Sequence, residues 1–292
     1  METKDIIKLP ISVIIPVRNE EKNLPQLLPL LGDFDEVIVV DSQSTDRTPE
    51  IVAEFGYKLV QFVWNGHFPK KRNWTLRNVA IKNDWVFFLD ADELITPEFL
   101  FDLKKKFNDT KDFDGFWIFY NNFFMGKRLS HGDTIRKLAL FRKSVGEYEK
   151  IDADDDDKNW SYSGIEIHEQ PILKGKVGKI NGRLDHRENK GLSWYIQKHN
   201  EYSSWEAKRF LKTSKSDERT SFRQKLKYIL IDSWYFCKLY FFYSYYVKLG
   251  FLDGKEGYMF CKLKEQYFFN VKSKIEEFRR LGYNYKCKNN IG

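Results

Sequence analysis

Three short apolar runs constrain this chain most. Ile11 to Val17 (ISVIIPV), Glu36 to Val40 (EVIVV) and Trp85 to Leu89 (WVFFL) are compact and rich in β-branched or aromatic residues. Such runs suit strands buried on both faces of a parallel sheet. Helical patterns lie between them. Glu20 to Leu31 is the first. Thr48-Pro49 then offers an N-cap followed by proline at the first helical position, and Gly56 stops that helix. Lys71 to Asn83 is helical in pattern. Thr96-Pro97 opens a further helix with Leu100, Leu103 and Phe107 on one face. This β-α-β-α-β rhythm predicts an α/β fold with a mainly parallel sheet flanked by helices.

The chain has 292 residues, enough for one large domain or two small ones, and its 42% hydrophobic and 31% charged residues read as globular. The 17% aromatic content exceeds what one core needs, and much of it falls in the last third. The net charge of +7 suits phosphates, anionic lipid surfaces or nucleic acid. The basic residues are dispersed and no recognition motif is present, which argues against nucleic acid. Cys237, Cys261 and Cys287 include no pair at CxxC spacing, so neither a zinc site nor a disulfide framework is expected, and a reducing cytoplasm fits. The apolar stretch at the N-terminus lacks a small-residue cleavage site and runs straight into polar RNEE; it reads as a strand, not a signal peptide.

After Asp114 the rhythm changes. Phe116 to Tyr120 and Leu138 to Phe141 read as further strands, and Asp152 to Asp157 as a solvated acidic loop. Asn181-Gly182, inside Lys174 to Leu184, is a tight-hairpin signal. Leu192 to Lys212 predicts a helix with Tyr195, His199, Tyr202, Glu206 and Phe210 along one side. Residues 222–247 form an aromatic segment interrupted by Asp232 and Lys238. Both charges are costly near the middle of a membrane span, so the segment reads as an interfacial or partner-facing helix.

The chemistry-bearing residues follow the strands. Asp90-Ala91-Asp92-Glu93 comes directly after the third apolar run. Ligands of open parallel sheets bind beyond the carboxyl ends of strands. Two carboxylates at i and i+2 there can share one divalent cation, and Mg²⁺ and Mn²⁺ prefer oxygen ligands shared with substrate phosphates. The plainer reading is an acidic turn capping the next helix. Asp41, in VDSQSTD, follows the second run and belongs on the same sheet edge, where a carboxylate can accept from a uracil imide or a ribose hydroxyl. The plainer reading there is Asx-turn chemistry, and it covers Asp46 better than Asp41.

VIIPVRNEEKNL, VVDSQSTDRTPEI, KKRNWTLRNVAIKNDW and DWVFFLDADELITPEF resemble the nucleotide-binding half of the family 2 glycosyltransferases, which have the GT-A fold. The similarity is close from Ile11 to Asp114 and looser to about Lys212. HEQ (168–170), LDHRE (184–188) and KHNEYSSWEA (198–207) are most similar to bacterial enzymes that build lipopolysaccharide core or other surface glycans. The resemblance implies a catalytic domain over 1–212, with a donor half 1–114 and an acceptor half 115–212, and a helical, aromatic-rich extension over 213–292. It implies that Pro16, Arg18, Glu20 and Asp41 contact the nucleoside, and that Lys71, Arg72 and Asn73 lie near the ribose or diphosphate. Asp90 would meet the ribose or metal, Asp92 would bind the metal, and His186 would be a further ligand of Mn²⁺ or Mg²⁺. Glu169 stands where relatives carry an acidic catalytic residue, with His168 beside it.

The expected reaction is inverting transfer of a sugar from a nucleoside-diphosphate donor, UDP-linked by resemblance, to a hydroxyl of a lipid-linked or lipopolysaccharide-type glycan. Glu169 would take the acceptor proton. The cation would neutralise the departing diphosphate, helped by Lys71, Arg72 or Arg142. The expected place is the cytoplasm, peripheral at the inner face of the membrane, with an anionic lipid surface or a second copy as partner. Two other classes compete. A sugar-phosphate nucleotidyltransferase usually opens with a Gly-rich phosphate loop, and VIIPVRNEEKNL has no glycine. A non-catalytic membrane-surface scaffold that binds glycans would not need Asp90 and Asp92.

Overall fold

The computed structural model describes residues 8–65, 69–107, 109–132, 134–148, 171–187, 190–213 and 229–281. The chain forms two compact units: Met1–Phe123 with Thr134–Asn189, and Phe124–Asp133 with Lys190–Gly292. In chain order the strands are β1 (Leu9–Val17), β2 (Phe34–Asp41), β3 (Lys58–Gln61), β4 (Trp85–Phe88), β5 (Glu93–Leu94), β6 (Gly115–Phe124), β7 (Lys127–Leu129), β8 (Arg136–Arg142), β9 (Glu147–Tyr148), β10 (Pro171–Ile172) and β11 (Val177–Arg187). The helices that matter for the site are α1 (Leu24–Leu27), α2 (Thr48–Glu54), α3 (Lys71–Asn78) and α4 (Pro97–Phe107); α5 (Gly191–Thr213) belongs to the second unit.

The main sheet of the first unit has the order β3-β2-β1-β4-β8-β6-β11-β5. β3, β2, β1 and β4 pair in parallel. β8 runs antiparallel to both β4 and β6, β11 is parallel to β6, and β5 is antiparallel to β11. Six strands therefore point one way, and β8 and β5 run against them. This is the mostly parallel α/β sheet expected from the sequence.

Both faces of the sheet are buried, which is why β1, β2 and β4 are continuous apolar runs. Val13, Ile15 and Val17 of β1 join Val37, Val39 and Phe87 in one core, where α1, α2 and α4 contribute Leu24, Val52 and Phe99. Ile14, Ile38, Val40, Val86 and Phe88 point the other way, where Trp74 of α3 packs. The alternation is the strand period of two. Burying each such side chain contributes roughly 1.5–3 kcal/mol.

Local chemistry sets the ends. Thr96 Oγ1 accepts from Phe99 N at 3.1 Å, capping α4 as expected. Gly56, at φ 69, closes the turn after α2. The helix expected over Glu20 to Leu31 is reduced to α1 and a 3₁₀ turn, Leu28–Leu31. Pro29 has no N–H to continue the α-helical ladder.

Asn181-Gly182 is not a hairpin. Both residues lie inside β11, where the register against β6 shifts between Lys179 and Arg183. Asp102 of α4 accepts from the backbone N–H of Asn181 and, at 3.3 Å, of Gly182. Glycine is needed here for space: a Cβ on Gly182 would stand 2.5 Å from Phe99 Cα and 2.6 Å from the Glu98 carbonyl oxygen. Gly182→Ala is therefore expected to destabilise the protein by about 1–3 kcal/mol, the usual cost of overpacking against atoms that cannot swing away. Urea unfolding would measure it, and a change below about 0.5 kcal/mol would show that α4 is free to shift.

The second unit is helical. α5 spans Gly191–Thr213, and the long C-terminal helix spans Gly254–Leu281. Ala207 and Phe210 of α5 pack with Ile231, Val271 and Ile275. Asp232 bridges Lys272 (2.7 Å) and Arg279 (2.8 Å). Within this unit Asp253 accepts from the backbone N–H of Ser130 (3.0 Å) and of His131 (2.9 Å). The described part of the aromatic segment is not one helix. A turn at Ser233 precedes a helix over Phe236–Phe242, and a π turn follows over Tyr243–Val247. Ser233 Oγ accepts from Tyr235 N at 3.3 Å, the kind of local bond that competes with a helical ladder. Among the described residues, no helix is long and apolar enough to cross a membrane.

Candidate active site

The strand directions bring the chemistry together. β1, β2 and β4 are parallel, so the loops after Val17, Asp41 and Phe88 leave from one edge of the sheet. β6 and β11 end on that edge too, while β8 begins there. One edge thus collects Asp41, Asp90, Asp92, Lys137 and His186.

The β1 and β2 loops are tied to each other. Pro16 and Val17 pair with Val40 and Asp41. Asn19 N donates to Ser44 Oγ at 2.8 Å, and Thr45 N donates to Asn19 Oδ1 at 2.8 Å. Asn19 and Gln43 both hold φ at 55°, left-handed for residues with a side chain. Such strain persists where the surroundings over-determine the backbone. Glu20 N donates to Thr48 Oγ1, and its carboxylate accepts from Asn23 Nδ2 at 2.7 Å. Arg18 is partly buried beside them. Asp41 is fully buried and accepts from Ser44 N, Ser44 Oγ and, at 2.9 Å, Gln61 Nε2.

Helix α3 supplies the next three residues. Lys71 is buried and its Nζ donates to the Val17 carbonyl at 3.2 Å. Arg72 donates to Asp90 Oδ1 at 3.0 Å and lies 5.3 Å from the Tyr148 ring centroid. Asn73 is engaged at both ends of its amide by the Tyr148 backbone, at 2.9 Å each, and so anchors β9.

Asp90 is held between two cations. Arg72 reaches Oδ1, and Lys137 Nζ reaches Oδ2 at 2.5 Å. Lys137 also donates to Glu93, whose other carboxylate oxygen accepts from Tyr120 Oη at 3.3 Å and from Asp90 N at 3.1 Å. Burial opposes the charge on Asp90, yet Lys137 and Arg72 hold its carboxyl well below the usual carboxylate range. Burial wins at Glu93, pushing its carboxyl up in spite of Lys137. Burial alone would depress Lys137, but Asp90 and Glu93 hold its ammonium well above the ordinary lysine range.

Asp92 has a different neighbour. β11 pairs with β5 so that His186 stands opposite Glu93, and Arg187 N donates to the Asp92 carbonyl at 2.8 Å. His186 Nε2 then lies 3.4 Å from Asp92 Oδ2. Burial would lower the imidazole pKa, but the Asp92 carboxylate holds it above the usual histidine range. His186 Nδ1 is buried with no hydrogen-bond partner among the described residues.

Other expectations shift. Arg142, offered as a diphosphate neutraliser, pairs opposite Trp85 at the start of β4 and binds Asp84 at 3.1 Å. At ~3.3 Å per residue that puts it roughly 15 Å from Asp90. It is at the wrong end because β8 is antiparallel, and for the same reason Lys137 is at the right one. Lys137 and Tyr120 carry no signal in the sequence: Lys137 stands beside Arg136 just before the apolar run Leu138 to Phe141. Among the described residues no three His, Cys, Asp or Glu side chains are gathered as a metal cluster. Asp92 and His186 form a pair, and Asp90 is engaged by its two cations. His168 and Glu169 lie outside the described residues.

The sequence profile described as Glycosyl transferase family 2 matches residues 12–164, more than half of the chain. The chain belongs to this family. A glycosyltransferase of Rickettsia typhi is 28% identical over 249 residues, covering 84% of this chain and 80% of that one. The lipopolysaccharide core biosynthesis glycosyltransferase LpsC of Rhizobium meliloti is 26% identical over 244 residues, covering 81% and 82%. Among solved structures, the mannosyltransferase PcManGT of Pyrobaculum calidifontis, in complex with GDP-Man and Mn²⁺, is 16% identical with a TM-score of 0.49, covering 92% of this chain and 87% of that one. As a family 2 glycosyltransferase, the chain carries its Asp90–Asp92 pair on the sheet edge where open α/β folds bind ligands.

Proposed function

We propose that this glycosyltransferase moves a sugar from a nucleoside-diphosphate donor to a hydroxyl of a lipid-linked or lipopolysaccharide-type glycan, with inversion, at the inner face of the cytoplasmic membrane. One observation carries the donor reading: carboxylates from two parallel βα loops, two cations and an imidazole converge on a single sheet edge. LpsC, similar over most of both chains, is named for lipopolysaccharide core biosynthesis, which supports the acceptor class.

In this reading Asp41 and the loop after β1, with Pro16, Arg18 and Glu20, form the nucleoside end. Arg72 and Lys71 lie toward the diphosphate, while Asn73 serves by holding β9 against α3. The acceptor oxygen attacks the anomeric carbon from the face opposite the leaving group. The bond from that carbon to the diphosphate oxygen breaks, and its electron pair leaves with the diphosphate. The hydroxyl proton passes to Glu169, positioned by His168; this assignment rests on the resemblance. Mn²⁺ or Mg²⁺ fits beside Asp92 and His186, since a carboxylate oxygen and an imidazole nitrogen already face each other there and the donor set suits a divalent ion. When bound, the ion would neutralise charge on the diphosphate.

The test is a screen of nucleotide sugars with purified protein and Mn²⁺, reading release of nucleoside diphosphate. With the active donor, NMR of the product would report the anomeric configuration. Inverted product is expected. Retained configuration would remove the single-displacement mechanism, and no turnover of any donor, with or without a glycan acceptor, would favour the glycan-binding scaffold.

A further inference from the structure

The described residues of the helical unit carry an outward apolar face that their own packing leaves uncovered. Tyr235, Leu239, Phe242 and Tyr246 recur at helical spacing, and all four are exposed, Tyr235 by 76%. The opposite side of the same segment is packed. Phe236 and Tyr240 contact Phe268 with ring centroids 5.0 and 4.5 Å apart, and Cys237 and Ser244 are buried. The exposed surface continues through Val247, the last residue of the π turn, to Leu252. Beside it Leu249 takes a left-handed φ of 59°, and the turn it makes leads into a 3₁₀ helix, Gly250–Asp253. Exposed apolar surface on this scale marks an interaction site.

Charge selects the occupant. From Trp234 to Tyr258 the basic residues are Lys238, Lys248 and Lys255, and the acidic ones are Asp253 and Glu256. Asp253 is buried and spent on Ser130 and His131, and Glu256 accepts from Lys127 Nζ at 3.0 Å. Lys238 is exposed but reaches Glu265 at 2.7 Å, so the outward charge rests on Lys255, which is exposed, and Lys248, which is partly so. The cores of protein–protein interfaces are depleted in lysine, whereas lysines interleaved with tyrosine suit a headgroup layer. Tyrosine places an apolar ring with a polar tip at that depth.

We infer that this face docks in the plane of an anionic lipid surface, its aromatic row seated at headgroup level and its lysines over the lipid charge. The inference deepens the membrane reading above but stands on this surface alone. Flotation needs neither donor nor acceptor, so its failure and a failure of transfer are separate results.

The experiment floats the full chain with vesicles of phosphatidylcholine, alone or mixed with phosphatidylglycerol, at low and high salt. Retention is expected with the anionic vesicles at low salt, falling several-fold with neutral vesicles or high salt. The triple variant Tyr235→Ser, Leu239→Ser, Phe242→Ser changes only exposed side chains, and circular dichroism would check its fold. It is expected to lose about tenfold or more in vesicle affinity. Lys248→Glu with Lys255→Glu should weaken binding only where the vesicles are anionic. Wild-type protein that stays unbound, or a triple variant that binds as well as wild type, would overturn the inference. So would a dimer in sedimentation that the triple variant dissolves, because the face would then belong to a second copy.

Discussion

Asp92→Asn is expected to cost at least a hundredfold in transfer while leaving the fold intact. The carboxylate stands on the loop after β4, and His186 Nε2 lies 3.4 Å from it. The loop is held by groups that the substitution does not touch: Arg187 N on the Asp92 carbonyl, Lys137 on Glu93, and Arg72 on Asp90. An amide at this position keeps size and polarity but loses the charge that would hold a divalent ion against the diphosphate, a contribution often worth several kcal/mol. Mn²⁺ affinity, measured by calorimetry on the protein without donor, should fall by roughly 10–100-fold as for other lost metal contacts. His186→Ala should move metal affinity in the same direction. Near-normal turnover in Asp92→Asn, with Mn²⁺ still required, would take Asp92 out of the site.

The parts of this fold that were legible in the sequence are those in which one strand decides its own environment. ISVIIPV, EVIVV and WVFFL lie on a sheet covered on both faces, so they had to be almost wholly apolar, and the carboxylates that follow them fall on one edge because the strands are parallel. β8 shows where such reading stops. RKLALFR has an apolar centre between basic ends, but nothing in it states its direction; that depends on pairing with β4 and β6. Read without direction, Arg142 looked like a site residue and Lys137 did not. Asn181-Gly182 failed for a related reason. The residues suit a tight turn, but the glycine answers to the backbone of α4, a partner some eighty residues away in sequence. The aromatic segment reads as one helix because propensity does not record the break at Ser233 before Phe236.

Lys137→Met is the sharper test of the network that the sequence did not reveal. In the native protein one ammonium serves two carboxylates, and one of them, Glu93, is fully buried. Removing it leaves Glu93, among the described residues, with Tyr120 Oη and the Asp90 backbone N–H as donors, while Asp90 keeps Arg72. Breaking a buried pair from one side costs ~3–5 kcal/mol; the Lys137 side chain is 39% exposed, so about 2–3 kcal/mol is expected. Urea unfolding with an unchanged m-value would measure it. The partner substitution separates structure from catalysis. Glu93→Gln removes the stranded charge and keeps an acceptor for Tyr120 Oη and the Asp90 N–H. Lys137→Met with Glu93→Gln should therefore regain most of the lost stability. Transfer should stay low in the double variant, because Asp90 and Asp92 would still lack the cation that orders their loop. Lys137→Arg should keep the charge and recover part of the turnover. A single Lys137→Met variant within about 0.5 kcal/mol of wild type, with normal transfer, would reduce Lys137 to a surface lysine that happens to lie across two acids.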